Sequence, residues 1–211
     1  MHGAKNWFLS MKIEKTLNAL KKNGFEAIFA KTREDALQKA LEIIPLDAKV
    51  GIGGSITIRE LGLVESLINR GNPVINHWNT EDVSRTTLMK EELMSDVFLS
   101  STNALTEDGK LVNIDGAGNR VGAMTFGPNK ALVIAGINKL VKNVEEGITR
   151  AKTVAAPMNA RRANKDTPCA RTGLCIDCDA TNRICRVMTI IERRPTKSQI
   201  VVILVGEELG F

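Results

Sequence analysis

The 211-residue sequence predicts an α/β fold, a mainly parallel but mixed sheet with helices on both faces. Three observations carry this. From Leu9 to Leu99, apolar runs of strand length alternate with segments of helical period. The longest apolar runs, residues 131–137 and 200–205, have the length of strands. Between the two halves, Asp108-Gly109 separates two short apolar runs and supplies the positive φ that a hairpin turn needs, so antiparallel pairing is expected there.

Leu9, Ile13, Leu17 and Leu20 recur at helical spacing, with Gly24 at the position of a helix-terminating glycine. Residues 25–29 read as a strand. Thr32 caps a second helix, with Asp35 at its third position, and Ala36, Leu37, Ala40, Leu41 and Ile44 form its apolar face before Pro45 ends it. Residues 49–52 form a buried strand running into Gly53-Gly54-Ser55. A helix over 57–70 stops at Gly71, and a strand over 72–76, a helix over 81–93 and a strand over 96–99 follow. Residues 104–106 and 111–114 are the two arms of the hairpin. Residues 131–135 are a central strand, 144–154 a helix, and 187–192 and 200–205 two strands around Pro195. The whole of 1–211 reads as a single domain, with 156–190 a cysteine-rich basic loop segment within it.

Composition sets the outer limits. With 43% hydrophobic and 25% charged residues the chain is ordinary for a globular protein. No apolar run approaches 18 residues, which excludes a helical membrane span, and residues 1–10 carry no signal-peptide pattern, so a cytoplasmic location is expected. Eleven Lys and Arg face four Asp and Glu between Arg150 and Lys197, a local +7 in a chain of net +5. The chain has no Tyr, and no aromatic residue interleaves with these arginines, so stacking platforms for a nucleic acid are missing. A solvated basic face explains the segment without a partner; the competing reading is an anion or an acidic protein.

Two glycine-rich segments and one lysine mark a candidate anion crevice. Gly51-Ile52-Gly53-Gly54-Ser55-Ile56-Thr57 follows a strand and opens a helix, where backbone N–H groups meet an anion. Gly53 and Gly54 permit close approach, and Ser55 and Thr57 add hydroxyls. A tight strand-to-helix connection would explain the same glycines. Asn113-Ile114-Asp115-Gly116-Ala117-Gly118-Asn119-Arg120 lies just past a strand, where ligands bind in open α/β sheets. Asn113, Asp115, Gly116, Asn119 and Arg120 are its candidate contacts. Asn138 and Lys139 follow the central strand in the same way, though a lone lysine there is more often a surface residue. Glu60, Asp115 and Arg120 are the candidate catalytic groups. His2 lies near the terminus and His77 follows a strand; no histidine triad can be assembled from the two, which argues against a hydrolase.

Cys169, Cys175, Cys178 and Cys185 are all the cysteines of the chain and lie within 17 residues. In a reducing compartment such clustering favours a metal site over disulfides. Zinc sites usually use two Cys-x2-Cys pairs and only one is present here. One loop donating four thiolates is closer to iron–sulfur ligation. An iron–sulfur cluster of [4Fe-4S] type is therefore expected, with zinc as the alternative and unligated or paired thiols third. Arg171, Arg183 and Arg186 would offset the thiolate charge.

The run from Gly51 to Leu63, the block from Asn103-Ala104-Leu105-Thr106 through Gly109, Asn113, Asp115-Gly116 and Gly118-Asn119-Arg120-Val121, and the stretch from Gly127-Pro128 to Gly136-Ile137-Asn138-Lys139 resemble the LUD (lactate utilisation) domain family. The resemblance covers about residues 10–155, and the four-cysteine loop looks like an addition in one branch. It implies a Rossmann-like sheet similar to those of sugar-phosphate isomerases, CoA transferases and formyltetrahydrofolate cyclo-ligases, in which a glycine-rich loop binds a phosphate or acyl group. It also implies a part in bacterial L-lactate or related organic-acid oxidation beside iron–sulfur redox partner proteins. Two other functions compete: an isomerase, ligase or transferase of a small phosphorylated or CoA-linked substrate, and a non-catalytic module docking an acidic redox partner. A small anionic ligand is expected in the first two, and a homo-oligomer is compatible with all three.

Overall fold

The computed structural model describes residues 2–78 and 84–211, without the side chain of His2. Helix α1 (His2–Lys22) buries Ile13, Thr16 and Leu20 and ends at Gly24, whose φ of +85° turns the chain into β1 (Glu26–Ala30). Thr32 caps α2 (Arg33–Ile43), its hydroxyl accepting from the Asp35 N–H, while the Asp35 carboxylate reaches back to the Lys31 N–H. After β2 (Val50–Ile52) the single helix expected over 57–70 is two helices, α3 (Ile56–Glu60) and α4 (Leu63–Arg70). Gly62, at φ +64°, has left the right-handed helical region and breaks them apart. Next come β3 (Val74–Asn76) and α5 (Arg85–Glu92); the expected start of α5 at Glu81 lies outside the described residues.

The middle of the chain holds β4 (Val97–Ser100), β5 (Ala104–Thr106), β6 (Leu111–Asp115), α6 (Asn119–Phe126) and β7 (Lys130–Gly136). A 3-10 turn over Ile137–Lys139 leads to β8 (Leu140–Val141). The helix expected over 144–154 is α7 (Val144–Arg150), which continues through a π-helical turn at Ala151–Ala155 into α8 (Ala156–Arg162). The short α9 (Pro168–Thr172) starts on Pro168, as helices tolerate. Irregular chain then leads to β9 (Val187–Ile191) and β10 (Gln199–Val205). The cysteine-rich segment 156–190 is thus helical in its first half.

The fold class is the expected one, a mixed α/β fold with a Rossmann-like, mainly parallel sheet, and the mixed character resides in a second sheet. Six strands in the order β1-β10-β7-β4-β2-β3 pair in parallel throughout. Four more, β8-β5-β6-β9, form a smaller sheet with antiparallel β5–β6 and β6–β9 pairs. Gly109, at φ +78°, makes the hairpin turn and sends β6 back toward β9 rather than into the large sheet. The segment around Pro195 therefore carries the chain from one sheet to the other instead of joining neighbours.

Strand periodicity divides the interior into two cores. On β10, Val201, Ile203 and Val205 face the side of α2 and α4, where they meet Ala36, Ala40, Leu63 and Leu67. Ile200, Val202 and Leu204 face the other side, with Leu20 of α1, Met124 of α6 and Leu105 and Leu111 of the small sheet. Leu132 and Ile134 of β7 belong to the first core and Ala131 and Val133 to the second. Burial on both faces explains the continuous apolar runs of β7 and β10. It also leaves the carboxyl ends of β2, β3, β4 and β7 at one edge of the layer, where the chain turns into polar loops.

Candidate functional site

A cavity of about 460 Å³ lies at those strand ends. Its floor comes from the turns after β2 (Gly54, Ser55, Thr57), β3 (His77, Trp78), β4 (Ser101, Thr102, Asn103) and β7 (Lys139). The loop after β6 and the helix pair α7–α8 close its sides. The chain runs from β2 to β3 on one side and returns to β4 on the other, and such a reversal is where open α/β sheets bind ligands.

Lys139 is the main surprise. It is 3% exposed, not a surface lysine. Its ammonium group donates to Thr57 Oγ1 and Ser101 Oγ, each at 2.8 Å. Burial, reinforced by Arg150 and Arg120, pulls its pKa down to about 7, against a smaller opposing effect of Glu60. Ser101 was not legible as a site residue, because nothing in a Ser-Ser-Thr run after a strand distinguishes it. The 3-10 turn that swings Lys139 inward has no local sequence signature either.

Arg120 and Asp115 come together as expected, but as a closed network. Arg120 Nε donates to Asp115 Oδ1 at 2.9 Å, Nη1 to Ser101 O at 2.8 Å and Asn113 Oδ1 at 2.7 Å, and Nη2 to Asn103 Oδ1 at 3.0 Å and Ile114 O at 3.1 Å. Asp115 Oδ2 accepts from the Val121 N–H in the first turn of α6. All three guanidinium nitrogens and both carboxylate oxygens are therefore engaged within the protein. Asn113 is fully buried and its Nδ2 has no partner among the described residues. Gly116 and Asn119 line the cavity beside this network.

The glycine loop packs closely and bonds little. A Cβ on Gly53 would lie 2.8 Å from the Phe98 ring, and one on Gly54 3.0 Å from the Trp78 indole. Ser55 caps α3 through a long 3.4 Å contact from the Ile58 N–H. Two guanidinium groups lie over the Trp78 ring, Arg59 at 3.3 Å and Arg162 at 4.6 Å from its centre. Beside it, His77 Nδ1 lies 2.6 Å from Glu92 Oε1, both residues buried. Glu92 could not be matched to His77 from sequence, since the two meet only through the packing of α5 on β3.

Glu60 and Asn138 stand apart from the cavity lining and hold residues 209–210 in place. Glu60 Oε2 accepts from the Gly210 N–H at 2.7 Å, Asn138 Nδ2 donates to Gly210 O at 3.0 Å, and Asn138 Oδ1 accepts from the Leu209 N–H at 3.1 Å. Phe211 then reaches the cavity wall. This segment had no sequence signal.

The four cysteines, all half-buried and free of disulfides, line one small cavity of about 20 Å³ next to the crevice. Among the described residues no group of three or more His, Cys, Asp or Glu already forms a ready cage for a metal ion. Arg183 draws the segment together, donating to the Cys178 and Cys185 carbonyls and to Asp177 Oδ1. Burial holds the Cys185 thiol above its ordinary pKa; Arg183 pulls against it, and Cys169, Cys175 and Cys178 add to the rise. Cys185, Ile184 and Ala156 line both this cavity and the crevice. A Cβ on Gly116 would sit 3.4 Å from Ile184 O, so the glycine lets the cysteine segment lie against the crevice loop.

No curated protein sequence matches the chain. Its fold is similar to that of a DUF162 family protein from Deinococcus radiodurans, with a TM-score of 0.56 and 12% identity over 94% of this chain and 98% of that one. The LUD domain family model matches residues 13–205, nearly the whole fold, and the chain belongs to the LUD domain family.

Proposed function

We propose that this LUD-domain chain is a redox component of L-lactate or related organic-acid oxidation. The crevice binds a small organic anion, and Cys169, Cys175, Cys178 and Cys185 hold an iron–sulfur cluster beside it. The observation that carries this reading is the shared wall: Cys185 borders both the thiol cavity and the crevice. Four soft sulfur donors on one short segment suit a cluster. The raised Cys185 pKa is a cost that metal ligation offsets, because a metal binds the thiolate. Such a cluster supplies one-electron transfer. The protein's own groups do the rest: the positive field of Arg120 and Arg150 favours an anion, Thr57 and Ser101 fix the Lys139 amine, and residues 209–211 lie against the site.

Protein purified without oxygen tests this. The expected result is visible absorbance that dithionite bleaches, and that L-lactate or pyruvate perturbs when bound in the crevice. Colourless protein carrying stoichiometric zinc contradicts the redox reading. The crevice mouth favours a second reading in that event. Arg85, Arg162 and Lys165 join its lining, as they would for a phosphorylated or CoA-linked substrate of an isomerase, ligase or transferase. Thermal-shift screening with sugar phosphates and CoA esters checks it, since a ligand at 100 times its Kd stabilises by about 2.7 kcal/mol.

A further inference from the structure

We propose that Lys139 is a catalytic amine that condenses with the carbonyl carbon of a small 2-oxo acid held in the crevice. This rests on the crevice being a ligand site, as proposed above, but not on the nature of the metal centre. The position is built for an amine that reacts. Lys139 is nine-tenths buried yet lines the cavity, and no carboxylate is among its hydrogen-bond partners in the described residues. Its two partners are hydroxyls, which accept from an ammonium ion and can equally donate to a neutral amine. The charged groups acting on it are Arg120 on α6, Arg150 on α7 and Glu60 on α3, a positive balance. That balance does two things at once. It keeps a large fraction of the lysine neutral at ordinary pH, the condition for nucleophilic attack, and it attracts a carboxylate.

The step balances without a further reagent. The lysine lone pair forms the C–N bond as the carbonyl π pair moves to oxygen. Thr57 or Ser101 passes a proton from nitrogen to that oxygen. A proton from solvent joins the oxygen of this neutral carbinolamine, the nitrogen lone pair expels it as water, and the protonated imine remains beside the substrate carboxylate. A 2-oxo acid is also the product class expected from oxidation of a 2-hydroxy acid, so the same crevice would hold either side of that reaction.

Reductive trapping tests the proposal. The full-length protein is incubated at neutral pH with pyruvate or glyoxylate and cyanoborohydride, and its peptides are mapped by mass. The expected result is one dominant reduced adduct on the peptide carrying Lys139, with a rate that rises as pH passes through about 7 and then levels off. L-lactate, which has no carbonyl, should give none. Lys139→Arg should lose the adduct, and Thr57→Val or Ser101→Ala should slow its formation by about tenfold or more while keeping the lysine. Adducts spread evenly over surface lysines, or none at Lys139 with either oxo acid, would overturn the proposal. The same trapping on Cys175→Ser protein separates the two readings: an adduct on metal-free protein upholds Lys139 whatever the redox outcome, and its absence on brown wild-type protein rejects Lys139 alone.

Discussion

The crevice and the cysteine segment lie wall to wall, and they are held in place by different physics. The crevice stands on the ends of parallel strands whose apolar residues are buried in two cores, and its charged groups are tied into the fold by complete hydrogen-bond sets such as that of Arg120. The stretch from Gly173 to Arg186 has no regular structure, and Leu174 and Ile176 are exposed. Ordering a residue costs roughly 1–2 kcal/mol, and so polar a segment recovers little of that by burial. Its internal ties are mostly two arginines, Arg183 on the Cys178 and Cys185 carbonyls and Asp177, and Arg186 on the Thr181 and Arg183 carbonyls. The difference teaches where a ligand would matter most for folding: the crevice is held by the sheet and its cores, whereas the thiol loop has the most to gain from the metal proposed above.

Removing the metal ligand should separate the two regions most sharply. Cys175→Ser is expected to lose bound metal and leave residues 169–185 open to protease, while the sheet stays folded by circular dichroism. If the whole chain unfolds, or the loop resists protease equally without metal, the two regions do not differ in the way described. Arg120→Met is the converse cut. It leaves Asp115 buried without its cation, and removal of one partner from a buried pair costs about 3–5 kcal/mol, readable as a lower midpoint in urea. Metal content per folded chain should not change.

Lys139 sharpens the comparison from inside the crevice. Its pKa is about 7 in the fold against 10.5 ordinarily, so between those values the unfolded chain holds a proton that the folded chain has released. Stability should therefore rise with pH across that window, and the burden is fully present below pH 7. Lys139→Met should remove that slope and raise stability at pH 7 by roughly 2–4 kcal/mol, measured by denaturant titration. An unchanged slope would mean that the lysine is not buried as described. The smallest expected effect on folding is that of Gly54→Val. The new side chain meets the Trp78 indole, so ligand thermal shifts should vanish while the unliganded midpoint moves by about 1–3 kcal/mol or less.

How far the sequence could be read follows the same division. Strands with continuous apolar runs, the Thr32 cap and the Gly109 turn are local signals, and each stands where the pattern placed it. Gly62 breaks a helix that periodicity alone joined, because a glycine that merely weakens a helix and one that leaves it look alike in sequence. In the site, Asp115 and Arg120 could be paired because they lie five residues apart on one loop. Lys139 meets Ser101 only after β4 and β7, far apart in the chain, are laid side by side, and His77 meets Glu92 only through the packing of α5 on β3. The split into two sheets was hidden for the same reason: β9 and β10 are neighbours in sequence, but their partners β6 and β7 are not neighbours in space.

The central claim is that the cysteine segment is completed by an iron–sulfur cluster against the crevice wall. Counting iron, acid-labile sulfide and zinc per chain in protein purified without oxygen tests it most directly. The account predicts about four irons and four sulfides per chain with negligible zinc, all lost in Cys175→Ser. One zinc per chain without sulfide, or four reduced thiols with no metal in freshly isolated protein, would contradict it.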